Sequence, residues 1–163
     1  MIFAEIEAFA AALPRTGAVA GLDLGTKTIG VAVSDGLRAI ATPLVTIRRT
    51  KFTADAAELD RILAGREIAG LILGLPRNMD GSEGPRAQST RAFARNLDAR
   101  APRPLAFWDE RLSTVAAERA LLEADTTRKR RGEVIDHVAA SYILQGALDR
   151  MGRIGARADD DYD

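Results

Sequence analysis

Three acidic residues in this chain stand where an acid is costly unless it is held by a partner. Asp23 lies in Gly-Leu-Asp-Leu-Gly-Thr, inside an apolar segment that predicts a strand over 19–24. Period-2 alternation turns Asp23 to the face opposite Leu22 and Leu24. An unpaired charge buried in a central strand is strongly disfavoured, so Asp23 needs a partner. Glu110 ends a second strand that begins near Leu105. In open α/β sheets, ligands gather at the carboxyl ends of strands. Asp136 falls in the first turn of the last predicted helix, and Ala139 and Ala140 share its side. Small residues there let the helix approach a sheet closely.

Brought together, two carboxylates about 4 Å apart repel by roughly 4 kcal/mol at an effective dielectric of 20. Three of them require protons or a cation. Oxygen donors select a hard ion, Mg²⁺ or Mn²⁺. Two such ions, about 3.5–4 Å apart, activate water and stabilise the leaving oxygen in phosphodiester cleavage. Glu133, one turn before Asp136, is a weaker candidate for a fourth ligand. Each acid also has a plain structural reading. Asp23 can cap a turn or pair with Lys27, Glu110 can pair with Arg111, and Asp136 sits at the favourable end of a helix dipole. The joint order, first strand, later strand end, final helix, is what links them.

Softer candidates surround these acids. Thr26 and Lys27 follow Asp23 on a turn and can touch phosphate, or simply face solvent. Arg77, Asn78 and Arg86 flank a glycine-containing loop over 74–84 and the helix start at Pro85. A helix N-terminus attracts phosphate and arginine adds a fork of donors, although an ordinary mobile loop would look the same. Arg111, beside Glu110, is a further candidate for substrate contact. The run Arg128-Lys-Arg-Arg131 can follow a phosphate backbone or be solvated. His137 is the single histidine, and adjacent helix residues point about 100° apart, so it need not face the acids. Phe107 and Trp108 read as core.

The elements that must position these residues follow from periodicity. Strands are predicted over 19–24, 29–34 and 38–47, the last an edge strand because of Pro43. A helix follows over 51–64, a buried strand over 68–73, a helix from Pro85 to about Arg100 and a strand over 105–108. Ser113 and Thr114 are good N-caps for a helix to about Glu123, and the last helix spans about Glu133 to Arg150. Met1 to Leu13 reads as a short amphipathic helix. The result is an α/β fold: a mixed five-stranded sheet, a three-strand meander plus two parallel strands, with helices on both faces.

Composition agrees with one domain. The chain has 163 residues, 47% hydrophobic and 28% charged, and no cysteine. That length buries roughly 70% of the unfolded surface without a staple. Thiolate metal sites and disulfides are excluded, and the lack of cysteine fits a reducing cytoplasm. No apolar run is long enough to cross a membrane. Formal net charge is zero, but Arg153 and Arg157 against Asp159, Asp160, Asp161 and Asp163 leave residues 151–163 at −2 and residues 1–150 at +2. Charge is therefore to be judged by face.

Four blocks carry a resemblance. Gly21-Leu-Asp-Leu-Gly-Thr-Lys-Thr-Ile-Gly-Val-Ala-Val-Ser-Asp35, Gly74-Leu-Pro-Arg-Asn-Met-Asp-Gly-Ser-Glu-Gly-Pro85, Asp109-Glu-Arg-Leu-Ser-Thr114 and Ile135-Asp-His-Val-Ala-Ala140 with Tyr142-Ile-Leu144 resemble, in order, the motifs of the YqgF (RuvX) family of Holliday junction resolvases and pre-16S rRNA nucleases. The resemblance implies a ribonuclease H-like fold over residues 18–150; an N-terminal helical extension (1–17) and an acidic tail (151–163), expected from its composition to be disordered, lie outside it. It implies that Asp23, Glu110 and Asp136 are a catalytic, metal-holding triad. It implies a cytoplasmic hydrolase acting in 5′-end maturation of 16S rRNA, with the small ribosomal subunit as a partner. Branched DNA is the alternative substrate, and oligomeric state stays open between monomer and homodimer. A non-catalytic RNA-binding factor of ribosome assembly or transcription is the competing reading outside enzymes. The opening block also resembles the phosphate-binding hairpin of two-domain ATPases of the actin and hexokinase type, which a single domain of this length cannot reproduce.

Overall fold

The computed structural model describes residues 1–112 and 128–160. The helix expected over 113–123, with its caps Ser113 and Thr114, lies outside these residues, as do the side chains of 128–135, Glu133 and the basic run among them. The strands are β1 (Ile2–Phe3), β2 (Ala18–Leu24), β3 (Thr28–Ser34), β4 (Ala41–Arg48), β5 (Ile68–Leu75) and β6 (Leu105–Asp109). The helices are α1 (Ile6–Ala12), α2 (Phe52–Leu63), α3 (Pro85–Arg100) and α4 (Arg128–Asp160), and a single 3₁₀ turn, Glu110–Leu112, follows β6.

All six strands form one sheet in the order β1-β6-β5-β2-β3-β4. The β2–β3–β4 meander is antiparallel, whereas β5, β6 and β1 run parallel with β2. Alternation along β2 splits the protein into two cores. Ala20, Leu22 and Leu24 pack with Leu59 and Leu63 of α2 and Phe93 and Leu97 of α3. Val19, Ile72 and Ala106 face the other way, against Phe9 of α1 and Ala140, Ile143 and Leu144 of α4. Helices thus cover both faces, as the apolar run of β5 requires. Pro43 sits on the edge strand β4, at the place where the ladder with β3 shifts register.

The sheet has six strands where five were expected. Met1 to Leu13 is not one helix: Ile2 and Phe3 pair in parallel with Leu105 and Ala106, and only Ile6–Ala12 is helical. Ile2 joins one core and Phe3 the other, so two residues serve as a strand too short to show a period. Helix α4 also exceeds its expected span of 133–150 at both ends: it starts at Arg128, so Asp136 lies in the helix interior and not in the first turn, where the dipole would favour it. Met151 still packs on the second core, Arg150 pairs with Glu7 of α1 at 2.7 Å, and the helix continues to Asp160. No proline interrupts 128–160, while Gly152 and Gly155 cost only about 1 kcal/mol each against alanine.

Helix α4 lies almost on the sheet because two strand residues lack a side chain. A Cβ on Gly21 would come within 2.7 Å of the Leu144 Cβ, and one on Gly30 within 1.9 Å of the Asp136 carbonyl oxygen. Backbone cannot yield at such distances as a flexible side chain would. Gly30→Ala should therefore destabilise the protein by roughly 1–3 kcal/mol, the usual cost of overpacking. At about 2–4 °C per kcal/mol for a chain of this size, the loss is readable by thermal unfolding. Gly36→Ala, where a Cβ meets nothing within 4 Å, serves as the control and should unfold with the wild type.

Candidate functional site

Asp23 is the next-to-last residue of β2, and both neighbouring strands present glycine beside it. On the β3 side its register partner is Gly30. On the β5 side the last paired residues are Leu22 and Leu73, which leaves Gly74 next to Asp23. These glycines open the two flanks of the aspartate. The first turn of described side chains on α4 drops onto Gly30, bringing Asp136 over that flank. Glu110, at the start of the 3₁₀ turn, reaches over the other: its Oε1 lies 2.7 Å from where a Gly74 Cβ would stand. Asp136 and Glu110 therefore approach the end of β2 that carries Asp23 from its two flanks, and Asp23 itself is only 4% exposed.

Two threonines pin α4 to this place. Thr28 shares the face of Gly30 by alternation, and its hydroxyl donates to Asp136 Oδ2 at 2.5 Å. Thr46 of β4 is the register partner of Gly30, and its hydroxyl is 2.9 Å from His137 Nδ1. His137 is thus seated toward β4, on the side of Gly30 away from Asp23. Among the described residues, no group of three or more histidine, cysteine, aspartate or glutamate side chains is gathered closely enough to hold one metal ion. The acids converge on a strand end without forming a closed shell of ligands.

The other expected residues divide into two groups. Thr26 and Lys27 are exposed on the β2–β3 turn, and Arg86 joins them there, its Nη2 donating to the Leu24 carbonyl at 3.3 Å. Arg77, Asn78 and Arg111 instead brace the loop after β5. Arg77 lies 3.6 Å from Glu83, which Arg91 holds in a fork at 2.5 and 2.8 Å. The Asn78 side-chain amide donates to Ser82 Oγ at 3.0 Å, and its backbone N–H to the Ser82 carbonyl at 2.9 Å. Arg111 pairs with Asp109 rather than Glu110, through Nε at 3.0 Å and Nη2 at 2.6 Å. That hydrogen bond holds the Asp109 carboxyl below the usual carboxylate range. The same cause, the Arg91 fork, lowers Glu83. Phe107 stacks under the Arg91 guanidinium at 4.9 Å, and Trp108 is buried, so both belong to the core as expected.

Sequence reasoning missed Thr28 and Thr46. The first was detectable: it shares a face with Gly30, two residues away. Thr46 acts across strands, where spacing carries no signal. If Thr28 holds the Asp136 carboxylate in place, Thr28→Val should slow phosphodiester cleavage about tenfold, in the range typical of removing a supporting hydrogen bond behind a reactive carboxylate. Thr28→Ser should keep nearly full rate. Equal rates for valine and wild type at matched stability would dismiss this role.

The comparisons with known proteins identify the family and the fold. The sequence model of the RuvX family, described as Holliday junction resolvase, matches residues 17–150. A protein of Cereibacter sphaeroides named as a pre-16S rRNA nuclease is 76% identical over 155 residues, covering 95% of this chain and 97% of its own. A protein of Paracoccus denitrificans with the same name is also 76% identical over 155 residues, covering 95% of this chain and 98% of its own. Among solved structures, Thermus thermophilus RuvC in complex with a Holliday junction substrate superposes with a TM-score of 0.50 at 14% identity, over 83% of this chain and 96% of that one. That likeness bears on the fold, which is the RuvC-like, ribonuclease H-type architecture. The chain belongs to the RuvX family and is a nuclease, a hydrolase of phosphodiester bonds.

Proposed function

We propose that this nuclease cuts RNA, at the 5′ end of the 16S rRNA precursor, in the cytoplasm and on the maturing small ribosomal subunit. The observation that carries this choice is the 76% identity, over 95% of the chain, to relatives named for that substrate. No helix among the described residues is long and apolar enough to cross a membrane.

We assign Asp23, Glu110 and Asp136 as the catalytic acids. Their donor set, three carboxylates with neither thiolate nor imidazole, fits a hard divalent cation, Mg²⁺ or Mn²⁺, by its chemistry. When bound, such a cation supplies Lewis acidity and positive charge at the phosphate. The chain's own part is positioning. Asp23 is fixed by the sheet, Asp136 by its bond to Thr28, and Glu110 by the 3₁₀ turn that follows β6. Thr26, Lys27 and Arg86 at the turn, and Arg77, Asn78 and Arg111 at the loop, are the side chains we assign to contact the substrate. Those on the loop act from an already braced position, which lowers the entropy lost on binding.

Branched DNA is the second reading, favoured by the description of the family model. Cutting two strands of a junction symmetrically calls for a homodimer, whereas cutting RNA does not. Both readings are separated by incubating an end-labelled 16S precursor fragment and a four-way DNA junction with Mg²⁺, Mn²⁺ or EDTA. We expect cutting of the RNA with either metal, none with EDTA, and a loss in Asp23→Asn on the order of 10³-fold, equivalent to about 4 kcal/mol of transition-state stabilisation. Junction cutting without RNA cutting would move the assignment to DNA. Binding without cutting of either would support a non-catalytic RNA-binding role.

A further inference from the structure

The turn that follows Asp23 forms the floor of a cleft on the opposite face from Asp136. Leu24, Gly25 and Thr26 line it below, Arg49 on one side, and Pro85, Arg86, Ser89 and Thr90 on the other, enclosing about 160 Å³. None of these lining residues is acidic. Arg49, just past β4, donates from Nη1 to the Gly25 carbonyl at 2.7 Å. Its backbone N–H bonds the Lys27 carbonyl at 2.8 Å, and its guanidinium lies 5.7 Å from the Phe93 ring centre. Arg86 reaches the same turn through the Leu24 carbonyl at 3.3 Å.

These two guanidiniums differ from their neighbours in what they bond. Arg77 and Arg111, past the ends of β5 and β6, and Arg91 on α3 are placed on carboxylates that cancel their charge. Arg49 and Arg86 are held by turn carbonyls, which orient a guanidinium without neutralising it. A guanidinium has five N–H donors, and one side-chain bond to a turn carbonyl is enough to fix its direction. Two oriented positive charges, the exposed Ser89 hydroxyl and no facing acid make a site for an anion with several oxygens.

We propose that this cleft seats a backbone phosphate of the nucleic acid, next to the phosphate that is cut. The inference rests on the nuclease reading above and adds Arg49 and Ser89 to the residues that hold the substrate. It also gives the strand a path. The cleft opens on the α2 and α3 face and Asp23 points to the α4 face, only one residue apart along β2. The bound strand therefore crosses over the end of β2 from one face of the sheet to the other.

The test is binding of a 5′-labelled 16S precursor fragment, read by fluorescence anisotropy in EDTA between 50 and 200 mM salt. Arg49→Gln, Arg86→Gln and Ser89→Glu are compared with wild type, Arg49→Lys and the control Arg66→Gln. Ser89→Glu puts a carboxylate at the cleft while leaving both arginine anchors intact. We expect each of the three to weaken binding several-fold and to lower the slope of log K against log salt by about 0.7, one single-strand phosphate contact. Arg49→Lys should regain the slope, and Arg66→Gln should match wild type. Wild-type affinity and slope in Ser89→Glu, with loss confined to an Arg49→Gln protein of lowered melting temperature, would reduce Arg49 to a brace and overturn the proposal. Wild type failing to bind the RNA would overturn the substrate reading together with it, which a four-way DNA junction run in parallel tells apart.

Discussion

The close approach of α4 to the centre of the sheet is the constraint on which the rest of this structure depends. A helix normally packs on a sheet through a layer of side chains on both elements. Here the helix backbone at Asp136 meets strand backbone at Gly30, and the helix side chain of Leu144 fills the space above Gly21. Removing one layer brings a helix-borne carboxylate down to the level of the strand-borne Asp23. Without that approach, Asp136 would stand above the sheet on the far side of a layer of side chains. The glycines of the opening motif are thus part of the site although they carry no chemistry.

The same economy appears on the β5 side. Gly74 clears space for Glu110, which belongs to the 3₁₀ turn rather than to the strand itself. The three acids come from three kinds of element: a central strand, a strand-end turn and the interior of a helix. Their common location is set by the ladder registers of β2 with β3 and β5 and by the seat of α4. The sheet supplies rigidity, and the threonines on β3 and β4 supply direction. Thr28 aims the Asp136 carboxylate, while Thr46 turns His137 toward the edge of the sheet. A hydroxyl suits this task because it orients a carboxylate without cancelling its charge.

Much of this was readable from residues alone, for identifiable reasons. Asp23 was visible because one charge broke an otherwise apolar alternation, and its facing direction followed from Leu22 and Leu24. Ala139 and Ala140 showed that α4 would pack tightly, and both are buried in the second core. What failed to show was whatever depends on pairs distant in sequence. A two-residue strand, Ile2–Phe3, has no period of its own and exists only because Leu105 and Ala106 await it. The length of α4 past Arg150 depends on Met151 finding the core and Arg150 finding Glu7, neither of which composition reveals. Arg111 was read beside Glu110 because they are adjacent, yet its fork closes on Asp109, two residues back on the preceding strand.

Charge shows the same limit. The chain has equal numbers of acidic and basic residues, and that total argues against a polyanion as substrate. The structure distributes those charges unevenly. Arginines that brace the loop after β5 are spent on Glu83 and Asp109, so they add order to the site and little field. Arginines that brace the turn after β2 bond to carbonyls, so their charge remains available at the end of the strand that carries Asp23. A neutral protein can in this way present a positive edge beside the strand end that carries Asp23. The acids at one face and the uncompensated guanidiniums at the other, separated by a single strand end, are suited to a ligand that is itself a chain of phosphates.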